Sequence, residues 1–295
     1  MLTEKDLKDV IAKVLGEMGN ENSNSSEIIS KVVEEVSSGV EEGELKDIGA
    51  INIKDQMLVN NPENVEEYMK LKQRTSARLG IGRAGTRFKT DVLLRFRADH
   101  AAAQDAVFND VPESLLEEVG LFEVLSECES RDQYVTRPDL GRKIGAEGIK
   151  VINEKCKKNP TVQIVVADGL SSTAIEANIK NILPAIENGL KGYGIEYGTT
   201  FFVKYGRVGS GDHVGELVNA DVVCILIGER PGLTTAESMS AYITYKARVG
   251  IAEAKRTVVS NIHRDGTPAA EAGAHIATLI KKILDAKASG QDLKL

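Results

Sequence analysis

The run Thr161–Asp168, TVQIVVAD, is a short and nearly continuous apolar stretch that stops at Asp168-Gly169, the pattern of a strand buried on both faces. Ser171 follows as a helix cap. After it Ile175, Ile179, Ile182, Ile186 and Leu190 recur at helical spacing, with Pro184 expected to kink or reset the helix. The alternation then repeats. TTFFVKYGRV reads as the next strand and GDHVGELVNA as the next helix; DVVCILIGERPG is a third strand, RTVVSN a fourth, and Pro268–Ala288 a closing helix. Strands alternating with helices predict an α/β fold, a mostly parallel, Rossmann-like sheet covered by helices. In such sheets ligands bind beyond the carboxyl ends of the strands. Those ends are Asp168-Gly169-Leu170-Ser171, Arg207-Val208-Gly209, Gly228-Glu229-Arg230-Pro231-Gly232 and Ser260-Asn261-Ile262-His263. Ordinary strand-to-helix turns favour the same residue types, so spacing leaves a ligand site and plain turns both open.

Upstream, residues 61–160 read as a mainly helical lead-in to an α/β domain over 161–295. Helices are expected over Glu66–Leu79 and from Thr90 to about Val107, and Ser114–Leu125 reads as helical and then strand-like. Pro138 and Asp139 suit another helix start, with an apolar face at Leu140, Ile144, Val151 and Ile152. Between the first two helices, Gly80, Gly82 and Gly85 spell a dinucleotide fingerprint by letter. A helix precedes it where a strand is required, so it reads as a turn, with Arg78, Arg83 and Arg87 solvated, holding an anion or facing the carboxylates of a partner.

Residues 1–60 form an acidic extension with short amphipathic helices. Leu7, Val10, Ile11, Val14 and Leu15 make one apolar stripe and Ile28, Ile29, Val32, Val33 and Val36 a second, separated by the polar run NENSNSS. Helices this short are marginal in water without a partner. The extension carries 6 Lys, no Arg and 13 Asp or Glu, and so accounts for the whole formal net charge of −7. The remaining chain is neutral, which argues against nonspecific nucleic-acid binding. The chain has 295 residues, 42% hydrophobic and 27% charged, an ordinary globular balance. No apolar run is long enough for a membrane span, and the N-terminus lacks a secretory core. Cys128, Cys156 and Cys224 are odd in number and far apart, which fits a reducing compartment and neither a disulfide framework nor a metal cluster.

No reaction centre stands out. His100, His213, His263 and His275 form no zinc pattern; His213 reads as a polar group at a helix start, and His263, at a strand end, is the one of interest. No GxSxG elbow, P-loop or Cys–His pair is evident. Glu229, closing a buried strand beside Arg230, is the best-placed acid, equally explained by a structural ion pair or a helix-end hydrogen bond.

Six stretches taken together resemble the ethanolamine ammonia-lyase small-subunit family: RTSARLGIGRAGTRFKTDVLLRFRADHA, YVTRPDLGRKI, VADGLSS, FFVKYGRVGSGDHVGE, IGERPGL and RTVVSNIHRDGTP. They run in order from about Arg74 to the C-terminus, and jointly they are highly specific. The N-terminal 60 residues resemble the family in character more than in sequence. The resemblance implies a small subunit that joins a large subunit carrying the substrate site in a barrel, with adenosylcobalamin between the two. It implies conversion of ethanolamine to acetaldehyde and ammonia by radical chemistry, with this chain alone inactive. Cofactor contacts fall by motif on Val208, Glu229 and Val258. Some relatives have cysteine at the third position, so a packing or backbone contact there survives the change and a thiol-specific role does not.

Asp212 and His213 are adjacent and no DxHxxG motif occurs, so the cofactor's own base is expected to remain the lower cobalt ligand. The family's association with bacterial microcompartments implies that residues 1–18, with the stripe from Leu7 to Leu15, direct the enzyme to the shell interior. The same stripe is also open to folding back on the enzyme. The other readings of the chain are a free-standing Rossmann-like nucleotide-binding enzyme, against which the missing strand–GxGxxG–helix unit counts, and a non-catalytic scaffold.

Overall fold

The computed structural model describes residues 48 and 51–294, all within a unit spanning Ile48–Leu295. The apolar stripes at Leu7–Leu15 and Ile28–Val36 lie outside the described residues.

Helix α1 (Val65–Gln73) starts at Asn64, whose side chain accepts from the Glu67 amide at 3.0 Å. It ends well short of Leu79. The glycine-rich segment then forms a small antiparallel hairpin, β1 (Arg83–Ala84) with β2 (Arg87–Phe88). Gly80 and Gly85 sit at φ +63° and +61° there, where glycine adopts the turn without strain. Helix α2 (Thr90–Phe108) follows as expected, then α3 (Glu113–Glu118), β3 (Glu123–Leu125) and α4 (Arg131–Thr136). Pro138-Asp139 does not open a long helix. Leu140–Arg142 makes one 3-10 turn, and helix α5 (Ala146–Lys155) begins only after Gly145. Ile144 is held extended by a bridge to Ser126, and the Gly145 amide donates to Leu125 O at 3.0 Å. Pairing along β3 therefore overrides the local helix signal.

From here the strands are β4 (Val162–Ala167), β5 (Phe201–Lys204), β6 (Val222–Gly228), β7 (Met239–Tyr245) and β8 (Arg256–Ile262), interleaved with helices α6 (Ser172–Gly192), α7 (Val208–Val218) and α8 (Ala269–Ala286). They build one six-stranded sheet in the order β3-β5-β4-β6-β7-β8. The first four pair in parallel, while β7 and β8 pair antiparallel to their predecessors. The mostly parallel α/β expectation holds, with β7 a strand that sequence reading did not foresee. The second predicted strand is shorter than expected. Tyr205, at φ +58°, ends it, and Val208 becomes the first residue of α7.

Side chains alternate between two cores. Ile164, Val166, Phe202, Leu226 and Ile243 face α6 and α8, whereas Val165, Ala167, Val203 and Ile225 face α5 and α7. Ser171 does cap α6, its Oγ accepting from the Ala174 amide at 3.1 Å. The five predicted apolar positions of α6, Ile175 to Leu190, are fully buried, each removal from water worth roughly 1.5–3 kcal/mol. Pro184 leaves α6 unbroken. It lies on the exposed side of the helix, as does Lys180, whose carbonyl loses its partner to the missing N–H. Gly273 lets α8 close on α6, since a Cβ there would come 2.6 Å from Ala185 Cβ.

Candidate functional site

The carboxyl ends of β4, β5 and β6 open into one cleft of about 410 Å³, with Gly169 and Leu170 after β4, Arg207 to Gly209 after β5, and Gly228 to Arg230 after β6. Tyr134, Arg142, Tyr242 and Glu253 complete the wall. Of the three expected cofactor contacts, the structure brings Val208 and Glu229 together here. Val258 is not in the lining. It lies one strand further out, in register with Tyr242 across the β7–β8 ladder, and is 47% exposed. Ile225, Tyr242 and Val258 form one cross-strand row on the α7 side of the sheet. The fourth strand end does not reach the cleft. A bulge places an extra residue of β8 opposite the segment between Met239 and Ala241, with Asn261 at φ +61°. His263 is buried in a separate hollow with Leu233 and Asp99, its Nε2 2.8 Å from Asn261 Oδ1.

The strand ends are tied together from beneath. Asp168 accepts from the amides of Tyr205 and Gly206, at 3.0 Å each, and pairs with Arg131 Nη2 at 2.9 Å. These bonds hold Tyr205 in its left-handed conformation and set where Val208 begins. Burial outweighs Arg131 and the two amides, and the Asp168 carboxyl is pushed up to about 6. Arg131 also reaches Asp110 at 3.0 Å and lies over the Tyr205 ring at 4.7 Å. On the cleft side, Arg207 stacks over Tyr134 at 4.4 Å and donates to its carbonyl at 2.8 Å. Its Nε is buried without a partner among the described residues.

Glu229 is half-buried, and its Oε1 accepts from the Tyr242 hydroxyl at 3.0 Å. Of its two sequence explanations, neither the ion pair nor the helix-end bond is what the structure shows. Burial, reinforced by the Glu229 carboxylate, pushes the Tyr242 phenol up to about 12, so it stays a neutral donor at any working pH.

Asp212 and His213 do not cap α7; both lie inside it. Asp212 forms a buried pair with Arg256, and His213 Nδ1 accepts from the Ile144 amide at 2.9 Å, with burial lowering the ring's affinity for a proton. Arg78 and Arg83 are used within this unit. Arg78 pairs with Asp99 at 2.7 Å, and Arg83 stacks over Phe88 at 4.5 Å. Arg207 and Asp168 were named as strand-end residues, but Tyr134, Tyr242 and the pairing of Asp168 with Arg131 were not singled out by sequence reading. Tyr134 lies within a quoted family stretch, which was the one signal available for it.

Residues 65–294 match the family model described as Ethanolamine ammonia-lyase light chain (EutC). The chain is 59% identical over 295 residues to the ethanolamine ammonia-lyase small subunit of Fusobacterium nucleatum subsp. nucleatum, covering all of both chains. It is 57% identical over 297 residues to that of Clostridium tetani, again covering both completely. To that of Listeria monocytogenes serotype 4a it is 52% identical over 293 residues, covering 99% of this chain and all of the relative. With the match spanning the cleft, the sheet and the lead-in helices alike, the chain belongs to the ethanolamine ammonia-lyase light-chain family.

Proposed function

We propose that this chain acts as the small subunit of an adenosylcobalamin-dependent ethanolamine ammonia-lyase, supplying one wall of the cofactor site where it meets the large subunit. The single observation that carries this reading is the convergence of Val208 and Glu229 in one cleft beyond the parallel strand ends. The chemistry of the wall suits the group. A corrin periphery carries amides and methyl groups. Glu229 offers a carboxylate acceptor, one oxygen of which is engaged by Tyr242, and Val208, Leu170 and Ile227 offer apolar contact. A cleft of 410 Å³ accommodates an edge of so large a macrocycle rather than its whole body, which fits a shared site. Val258, exposed beside Tyr242, extends the same face and contacts the cofactor by packing.

When bound, the cofactor supplies the radical chemistry of the deamination. The residues of this chain bind and orient its edge and help exclude water. None of them is assigned to acid–base work, so the chain by itself releases no acetaldehyde from ethanolamine. The apolar stripe of residues 1–18 serves as the contact that directs the assembled enzyme into a bacterial microcompartment.

The test is a spectroscopic titration of adenosylcobalamin into enzyme reconstituted from both subunits. Glu229→Ala loses a charge-assisted hydrogen bond worth roughly 1.5–3 kcal/mol, so affinity should fall about ten- to a hundredfold. An unchanged titration would remove Glu229 from the cofactor site.

A further inference from the structure

Tyr242 stands at the junction of the three proposed contacts, and no family motif points to it. It lines the cleft that holds Val208 and Glu229, it faces Val258 across the β7–β8 ladder, and its hydroxyl donates to Glu229 Oε1 at 3.0 Å. The donor sits on β7 and the acceptor directly follows the neighbouring strand β6. β6 ends at Gly228, and the Glu229 amide donates back to Ser238 O at 2.9 Å, just before β7 begins. The backbone of Glu229 is therefore anchored, while its side chain has several rotatable bonds between that anchor and the carboxylate. One rigid phenol fixes the far end. The Tyr242 ring packs beside Ile225 in the core facing α7, so the ring itself has little freedom.

We infer that Tyr242 is a positioning residue for cofactor binding: by holding Glu229 Oε1 it turns the second carboxylate oxygen toward the cleft as an acceptor for a corrin amide. This inference rests on the cofactor reading of Glu229. A carboxylate held in place before binding loses less freedom when the ligand arrives. A carboxylate held by nothing samples other rotamers, and only a fraction of molecules is ready to bind.

The experiment is a double-mutant cycle on the reconstituted two-subunit enzyme, read by absorbance titration of adenosylcobalamin and not by turnover. Tyr242→Phe keeps the ring and removes the hydroxyl; it should weaken binding by about tenfold. In the Glu229→Ala background the same change should cost less than about twofold, because there is no carboxylate left to orient. Equal losses in the two backgrounds would make Tyr242 a packing residue and overturn the inference. No loss in the single variant would also overturn it. If Glu229→Ala itself left affinity intact, the cofactor reading of Glu229 would fall first, and the positioning role with it. Loss with Glu229→Ala but none with Tyr242→Phe would sink only the positioning role.

Discussion

Arg256 of β8 and Asp212 of α7 form an ion pair buried from solvent, with the other guanidinium nitrogen turned to Glu253. The pair joins the edge strand that carries Val258 to the helix that begins at Val208. Burial raises the affinity of the Asp212 carboxyl for a proton, which the facing Arg256 opposes. Arg256→Met should strand that carboxylate in the interior and destabilise the protein by roughly 3–5 kcal/mol. Arg256→Lys should recover only part, since an ammonium cannot serve Asp212 and Glu253 through one planar fork. Urea midpoints of the two variants check both statements, and a midpoint for Arg256→Met equal to wild type would show the pair to be idle.

Asp168 should make stability fall as pH rises. Its carboxyl sits at about 6 in the folded protein against 3.8 for an ordinary aspartate, so the folded state binds the proton more tightly. The stabilisation is complete below about pH 4 and is lost as pH climbs through 6, with a slope of at most about 1.4 kcal/mol per pH unit. Asp168→Asn has no proton to lose. The stability gap between wild type and that variant, measured by urea unfolding from pH 4 to 7, should shift against wild type as pH increases. A gap that is flat would mean that Arg131 and the two amides balance burial, and one that moves the other way that they outweigh it.

Two glycines of the cleft should respond in opposite ways to alanine. At Gly228 a Cβ would lie 2.1 Å from Ser171 O and 2.4 Å from Asp168 O, both backbone atoms with nowhere to go. At Gly209 the nearest atom is Arg142 Cγ at 3.0 Å, part of a long side chain that is largely exposed. Gly228→Ala should therefore cost several kcal/mol, in the range of about 1–3 or more for overpacking, while Gly209→Ala should stay within about 0.5 kcal/mol. Thermal midpoints decide between these outcomes.

Residues 1–18 should carry a fused fluorescent protein into purified microcompartments. Replacing Val10 and Val14 by Asp puts two charges into the apolar stripe and should abolish that transfer. A version of the enzyme lacking residues 1–18 that still co-purified with compartments at full yield would place the signal elsewhere. Loss of subunit assembly on the same deletion would show that the stripe packs on the enzyme itself.

Much of this architecture was readable because burial imposes a pattern. TVQIVVAD and the isoleucines of α6 announce a strand and a helix through composition and spacing alone. β7 was missed although Met239, Ala241 and Ile243 alternate with Ser240, Tyr242 and Thr244. Its polar half is Ser240, Tyr242 and Thr244, of which Ser240 and Thr244 are buried all the same, so the segment lacks the continuous apolar run of its parallel neighbours. Within the cleft, Val208 and Glu229 were legible as strand-end residues. The Arg131–Asp168 and Arg256–Asp212 pairs were not, because nothing local to an arginine says which distant carboxylate will meet it after folding. Tyr242 was hidden for both reasons.

The outer margin of β8 has a bearing on how copies of the protein meet one another. Near its start, Ser289 Oγ donates to Lys255 O, at 2.5 Å, and the Gly290 amide donates to Thr257 Oγ1 at 2.8 Å. Near its finish, the Thr267 amide donates to Asn261 O at 2.9 Å and the His263 amide to Thr267 O at 3.1 Å. Chain that follows β8 thus straps both ends of the strand, leaving a span centred on Val258 and Val259 that is too brief for another polypeptide to zip along. At the opposite margin, β3 is only three residues long. A sheet hemmed in this way resists fibrous self-association, even though the apolar Val258 between the straps stays open to solvent.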